Sequence, residues 1–278
     1  MIKEIQLITR GRPTSDGAGV KMTRLIGTSE IGLLDPFLML DFFGTENPDD
    51  YIAGFPSHPH RGFETMTYMI AGHMRHEDNH GNSGLLKPGG VQWMTAGKGI
   101  VHSEMPEQVS GEMRGFQLWI NLPSYAKMTP AAYQDYEPDA VPVEIDADGS
   151  QTKVIVGKTD KGTMGPVVND FVHPLFMDVN LTPGHVWSQT VNAADNSFIY
   201  VINGQLIVGE QKQTLSQGCL AILTAGDTIS LQAGNEASRF IVASAQPINE
   251  PIARHGPFVM NTQAEIHQAF NDFRQGLF

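Results

Sequence analysis

The chain has 278 residues, 41% of them hydrophobic, and a formal net charge of −12. That length holds two domains or one large sheet protein with a sizeable core, and the acidic balance gives no general attraction to phosphate backbones or anionic lipid, so neither direct nucleic-acid binding nor membrane association is expected. The start at Met1-Ile2-Lys3 lacks a secretory apolar run, no stretch approaches the roughly 20 apolar residues of a membrane span, and Cys219 is the only cysteine, so a cytoplasmic protein without internal disulfides is expected.

Residues 1 to 53 open on an apolar alternation at Ile2, Ile5 and Leu7 and pass a glycine-rich turn at Gly17 and Gly19. The run from Leu33 to Phe43 is too apolar for a free loop and is broken by Pro36, which disfavours helix, so it reads as a buried sheet edge. Gly54-Phe55-Pro56-Ser57-His58-Pro59-His60-Arg61-Gly62-Phe63-Glu64 follows. Side chains two apart on an extended strand share a face, so His58 and His60 form one pincer. Thr65 to Ile70 is β-branched and aromatic enough for a strand ending at Gly72, and Val91 to Met94 and Phe116 to Asn121 read alike. After Gly97-Lys98-Gly99, His102 and Glu104 make a second pincer. Short strands between glycine and proline turns, with almost no helical period, predict an all-β sandwich or barrel.

Two pincers converging inside a barrel offer three imidazoles and one carboxylate. That set suits a borderline transition metal and leaves coordination positions open for water, oxygen or a substrate. One His-x-His alone is commonly no more than polar residues beside a turn; two such pairs, each flanked by glycines, favour a metal.

Pro123 to Gly149, rich in Pro, Asp, Glu and Ala, reads as a linker, placed over 126–150. Beyond it the chain repeats itself. Tyr68 to Met74 aligns with Tyr200 to Leu206, and Leu86 to Gly97 with Leu215 to Gly226, at nearly the same offset. Two copies of one strand-turn-strand unit, each building its own barrel, are implied: 1–125 with the metal ligands and 151–278 without. Carried through the offsets, His58 falls on Thr190, His60 on Asn192 and His102 on Leu231, so the second copy holds no metal. Asn203-Gly204 between two β runs predicts a type I′ hairpin. Near the end, Thr262-x-x-Glu265 is a capping box opening a helix over about 262–275, with Ile266, Ala269, Phe270, Phe273 and Leu277 on one face. It either closes the second barrel or straps across to the first.

The stretch from Gly54 to Thr65, His76-Glu77-Asp78, Gln92 to Gly97, His102-Ser103-Glu104-Met105-Pro106, Leu34 to Asp41, Phe116 to Leu122 and His255 to Thr262 together closely resemble the pirin family of the cupin superfamily. The resemblance implies two cupin barrels of the jelly-roll type in tandem, with one iron ion, most readily ferrous, on His58, His60, His102 and Glu104 of the N-terminal barrel. In many cupins the position of Glu64 supplies the carboxylate; the family pattern favours Glu104 and leaves Glu64 a supporting role. Two activities are implied: dioxygen-dependent opening of the flavonol quercetin, with Glu104 as the catalytic base, and metal-dependent binding to a regulatory or metabolic protein. Phe43, Phe55, Phe63 and Trp93 are candidate neighbours of a flat substrate, and a monomer is expected.

Overall fold

The computed structural model describes residues 1–278 and is built almost wholly of antiparallel strands, with a single α-helix, Gln263–Arg274. It divides into two compact units, residues 12–139 with 248–278, and residues 1–11 with 140–247.

In the first unit a seven-stranded sheet runs in the order Ala132–Tyr136, Val91–Thr95, Phe63–Ala71, Met113–Asn121, Phe37–Thr45, Val20–Ile26 and Arg12–Asp16. A four-stranded sheet runs Phe55–His60, Ile100–Pro106, Met74–Asp78 and Ser83–Leu86. The second unit repeats this order strand for strand, its large sheet running from Ile5–Thr9 through Leu220–Leu223, Asn196–Asn203, Ser238–Ala245, Leu175–Leu181 and Gln151–Val156 to Val143–Ile145. The internal repeat is therefore a repeat of topology.

The expected domain limits need correction. Ala132–Tyr136, inside the segment expected as a linker, pairs with Val91–Thr95 as the edge strand of the first barrel. The matching edge of the second barrel is filled by Ile5–Thr9 from the start of the chain, paired with Leu220–Leu223. At the other end the helix belongs to the first unit, so of the two placements expected for it the strap is the one found. Its capping box is present: Thr262 Oγ1 accepts from Glu265 N at 3.2 Å, and Thr262 N donates to Glu265 Oε2 at 2.8 Å. Ile266 and Ala269 are buried with Ala253, Phe258, Met260 and Phe278, whereas Leu277 stays 64% exposed, so the docking face is narrower than the pattern predicts.

Two local expectations also fail. Phe37–Thr45 is an interior strand with neighbours on both sides, not a sheet edge. Asn203-Gly204 does not close a hairpin: Asn196–Asn203 pairs within the large sheet and Gln205–Val208 within the small one. The glycine turns the chain from one sheet into the other, at φ +77° and with the Ala237 carbonyl where a Cβ would stand.

The fully buried Lys127 fastens the C-terminal segment to the first barrel. Its ammonium donates to Gly62 O at 2.8 Å, Asn121 Oδ1 at 2.7 Å and Val259 O at 3.0 Å. Lys127→Met keeps the length of the stem but leaves three buried acceptors without a donor, each such loss costing about 1–3 kcal/mol before relaxation. A fall in Tm of about 5–10 °C is expected in thermal unfolding; a Tm within 1 °C of the parent (~0.5 kcal/mol or less) contradicts this role.

Candidate metal centre

The strand Phe55–His60 carries prolines at 56 and 59, which lack the N–H of a ladder donor. It tolerates them because it is the edge of its sheet, paired on one side only, with Ile100–Pro106. That pairing sets His102 directly opposite His58, and His60 opposite Ile100. The imidazole centroids lie 4.7 Å (His58–His60), 4.5 Å (His58–His102) and 5.1 Å (His60–His102) apart. One nitrogen from each ring falls in a group whose members are all within 4.8 Å of one another. The register shifts between His102 and Glu104, a bulge that re-aims the carboxylate.

The loops behind both pincers are tied together by Arg61, beside His60. Its Nε donates to Lys98 O at 2.6 Å in the turn before His102, its Nη1 to Asp272 Oδ2 at 2.7 Å, and its guanidinium lies 4.3 Å from the Phe278 ring centroid. Gly62 comes so close to the C-terminal ribbon that a Cβ there would stand 2.0 Å from Val259 O.

The protonation of the site follows from burial. His58 Nδ1 donates to the Pro56 carbonyl at 2.8 Å; a carbonyl only accepts, so Nδ1 carries a proton and Nε2 is the nitrogen available to a metal. His60 is held well below the ordinary imidazole range by desolvation and by the other two histidines. His102 is pushed down to about 3 by burial, His58 and His76. His60 Nδ1 and both nitrogens of His102 are buried without a hydrogen-bond partner. Unsatisfied buried polar atoms are rare and destabilising, and three imidazoles with one nitrogen each in mutual reach, two of them held neutral by burial, are a donor set that fits a divalent transition metal.

Glu104 is buried and lines the same cavity as His58 and His60. Burial raises its carboxyl above the usual range, with His58 and Thr67 opposing. Thr67 Oγ1 donates to Glu104 Oε1 at 2.9 Å and lies 2.6 Å from the Gln117 amide oxygen position. The hydroxyl has one proton, so when Thr67 gives it to Glu104 the Gln117 amide presents its nitrogen instead. Glu64 faces away: Phe63, its neighbour, packs 5.1 Å from the His60 ring, and Glu64 Oε1 accepts from Thr95 Oγ1 at 2.7 Å on the other side of the sheet.

The cavity measures about 670 Å³. Of the four aromatic candidates, Phe43 and Phe55 line it; Phe63 is buried beneath His60, and Trp93 faces the opposite side of its strand with Met66. Sequence reasoning missed Trp119, whose ring centroid is 5.0 Å from His60, together with Thr67, Gln117, Arg254 and the thioethers of Met22, Met39 and Met74. Their signal was faint, because each is one alternate residue of an ordinary strand or loop. His76 was seen only as part of a motif. It pairs with Glu104 across the sheet, and the missing side chain of Gly84 makes room for its ring.

The second barrel has no counterpart of this site. Strand pairing there sets Trp187 opposite Leu231, as His58 stands opposite His102, and Gln189 opposite Ile229. The residues at the ligand positions of the first strand are thus Trp187 and Gln189 rather than Thr190 and Asn192, because the loop Val191–Asp195 is longer than its equivalent at Arg61–Gly62. Trp187, Leu231 and Ala233 are packed into an apolar core. A separate surface trio, Asp146, Asp148 and His185, also has ligand atoms in mutual reach, but its members are engaged with one another and with Lys161.

Residues 19–120 match the Pirin family and residues 176–278 match the Pirin C-terminal cupin domain. A pirin-like protein of Caulobacter vibrioides is 48% identical over 100% of this chain and 99% of its own length. The solved structure of a quercetin 2,3-dioxygenase from Acinetobacter baumannii aligns with a TM-score of 0.91 at 36% identity, covering 100% of this chain and 99% of that one. A bacterial pirin from Escherichia coli, solved in complex with nickel(II), shares the fold at a TM-score of 0.67 and 18% identity, covering 87% of this chain and 99% of that one.

Replacing His102 by the residue of the second barrel separates metal binding from folding. An imidazole held neutral in the folded state but free to protonate near 6.5 when unfolded favours the unfolded chain as pH falls below that value, by about 1.4 kcal/mol per pH unit. Metal-free His102→Leu is therefore expected to bind no metal yet to lose less Tm than the parent between pH 7 and pH 5. A variant that keeps one equivalent of metal by elemental analysis, or that is as acid-sensitive as the parent, contradicts the assignment.

Proposed function

The chain belongs to the pirin family of cupin proteins, and from that premise and the geometry of its first barrel we propose that it is an iron-dependent dioxygenase opening the flavonol quercetin. The observation that carries the reading is the convergence of one ring nitrogen from each of His58, His60 and His102, beside a cavity of about 670 Å³ lined by His58, His60 and Glu104. Cavities of about 300–1,000 Å³ take small organic ligands, and the ring faces of Phe43, Phe55 and Trp119 suit a flat one. The name of the solved relative from Acinetobacter baumannii supports the same substrate class. The lone Cys219 agrees with a reducing, cytoplasmic setting.

In this proposal His58, His60, His102 and Glu104 hold the ion. Bound there, ferrous iron supplies Lewis acidity towards the flavonol 3-hydroxyl and a place for dioxygen beside it. The chain's own residues do the rest. The barrel keeps His60 and His102 unprotonated, so both remain donors at neutral pH. Glu104, with a carboxyl raised by burial, takes the 3-hydroxyl proton on Oε2 as it shifts from ligand to base, while Thr67 holds Oε1. Apolar walls hold the flavonol plane and exclude water. The overall change consumes one dioxygen, breaks the 2,3 and 3,4 bonds of the central ring, leaves one oxygen atom on each of carbons 2 and 4, and releases carbon 3 with its oxygen as carbon monoxide.

Iron-loaded protein under air is expected to release carbon monoxide from quercetin. Glu104→Gln can still offer an oxygen to the ion but has lost its basicity, so it should keep metal and lose turnover by about 10²–10⁴-fold. If the parent loaded with iron, manganese, nickel or copper releases none, the dioxygenase reading fails for quercetin, and a metal-dependent module binding a partner protein becomes the better account.

A further inference from the structure

One arginine lines the cavity, and it forms no direct ion pair with the carboxylates that line it. Arg254, on the C-terminal ribbon strand Ala253–His255, lies with its guanidinium 4.9 Å from the Trp119 ring centroid. Its hydrogen-bond partners are weak: Leu38 O at 3.5 Å and Met39 Sδ at 3.8 Å. The two carboxylates on the same wall belong to Arg24, whose Nε and Nη2 grip Asp41 at 2.9 and 2.8 Å and whose Nη2 also reaches Asp16 at 3.4 Å. Burial and repulsion from Arg24 lower the pKa of Arg254, and the more distant carboxylates of Asp41 and Asp16 oppose that shift. Trp119 in turn stacks against His60, so the guanidinium stands one aromatic ring away from the metal donors.

Stacking on Trp119 fixes the plane of the guanidinium while leaving N–H donors at its edge. A planar fork of that kind is matched by a carboxylate taking two parallel hydrogen bonds, a contact stronger than one to a neutral hydroxyl. A protein with a formal charge of −12 repels small anions in general. A guanidinium held in the cavity wall without a direct ion pair is therefore a local feature rather than part of an overall field.

We propose that Arg254 is a specificity-determining residue and that, among planar aromatic hydroxyketones, this cavity prefers those bearing a carboxylate at the end opposite the hydroxyketone. The inference rests on the reading of the cavity as a substrate site. The hydroxyketone end approaches the trio and Glu104; the carboxylate closes on Arg254 over the edge of Trp119. Quercetin, which carries no carboxylate, fills the cavity but leaves the guanidinium unanswered.

The test compares two probes of one shape, 3-hydroxyflavone and 3-hydroxyflavone-4′-carboxylate, by calorimetric titration of zinc-loaded protein without oxygen. The parent is expected to bind the carboxylate at least tenfold more tightly. Arg254→Gln should abolish that difference and leave the affinity for 3-hydroxyflavone within twofold, and Arg254→Lys should restore part of it. Metal content is measured for each protein, so a damaged centre is recognised apart from a lost contact; in that event the comparison in the parent decides. Equal affinity of the parent for both probes, failure of the carboxylate to bind, or a parallel loss of both probes in a metal-replete Arg254→Gln overturns the proposal. Because no oxygen is consumed, absence of carbon monoxide release from quercetin counts against the dioxygenase alone and leaves this comparison intact.

Discussion

His102 is buried at 1% exposure with neither ring nitrogen hydrogen-bonded, and the first barrel has to hold it there. Leaving such a group unpaired costs on the order of 1–3 kcal/mol, and two further imidazoles share its neighbourhood. The surrounding structure is arranged to carry that burden. An edge strand bearing two prolines presents His58 and His60, a bulge separates His102 from Glu104, and Arg61 fastens the turns behind both pincers to each other and to the C-terminal helix. The second barrel follows the same topology with Trp187, Leu231 and Ala233 in a packed core. The fold closes without histidines, so in the first barrel they serve something other than closure.

The same burial that strains the site prepares its chemistry. Desolvation opposes charge on an imidazole and on a carboxylate alike, so it holds His60 and His102 neutral while raising the carboxyl of Glu104, the state the proposed proton transfer calls for. Thr67 and Gln117 orient that carboxylate from the floor of the large sheet. Trp119 joins the donors to the cavity wall, packing against Phe63 at 4.3 Å and under Arg254. A divalent ion at the trio would take up one nitrogen of each ring, which would couple metal binding to the stability of the barrel.

Much of this was legible in the sequence because it is local. Alternation on an extended strand was enough to pair His58 with His60 and His102 with Glu104, the repeat of Tyr68-Met69-Ile70 in Tyr200-Val201-Ile202 announced two barrels, and Thr262 with Glu265 marked the helix start. What was not legible depends on pairing between distant segments. Nothing near Ile5–Thr9 says that its partner is Leu220–Leu223, and nothing in the helix says that it docks beside Arg61. The place of the first strand therefore escaped, that of the helix stayed open between the two barrels, and Arg254, which reaches the first cavity from the end of the chain, was missed. Asn203-Gly204 misled because turn chemistry specifies a bend, not which sheet receives the next strand.

The most direct measurement is the position of the metal in crystals of iron-loaded protein, located by anomalous scattering at the iron edge. This account predicts one strong peak per chain, within bonding distance of a nitrogen from each of His58, His60 and His102 and of a Glu104 oxygen, with remaining positions open to solvent. A peak at Asp146, Asp148 and His185, or one at the histidines with Glu104 turned away and Glu64 bound in its place, would contradict it.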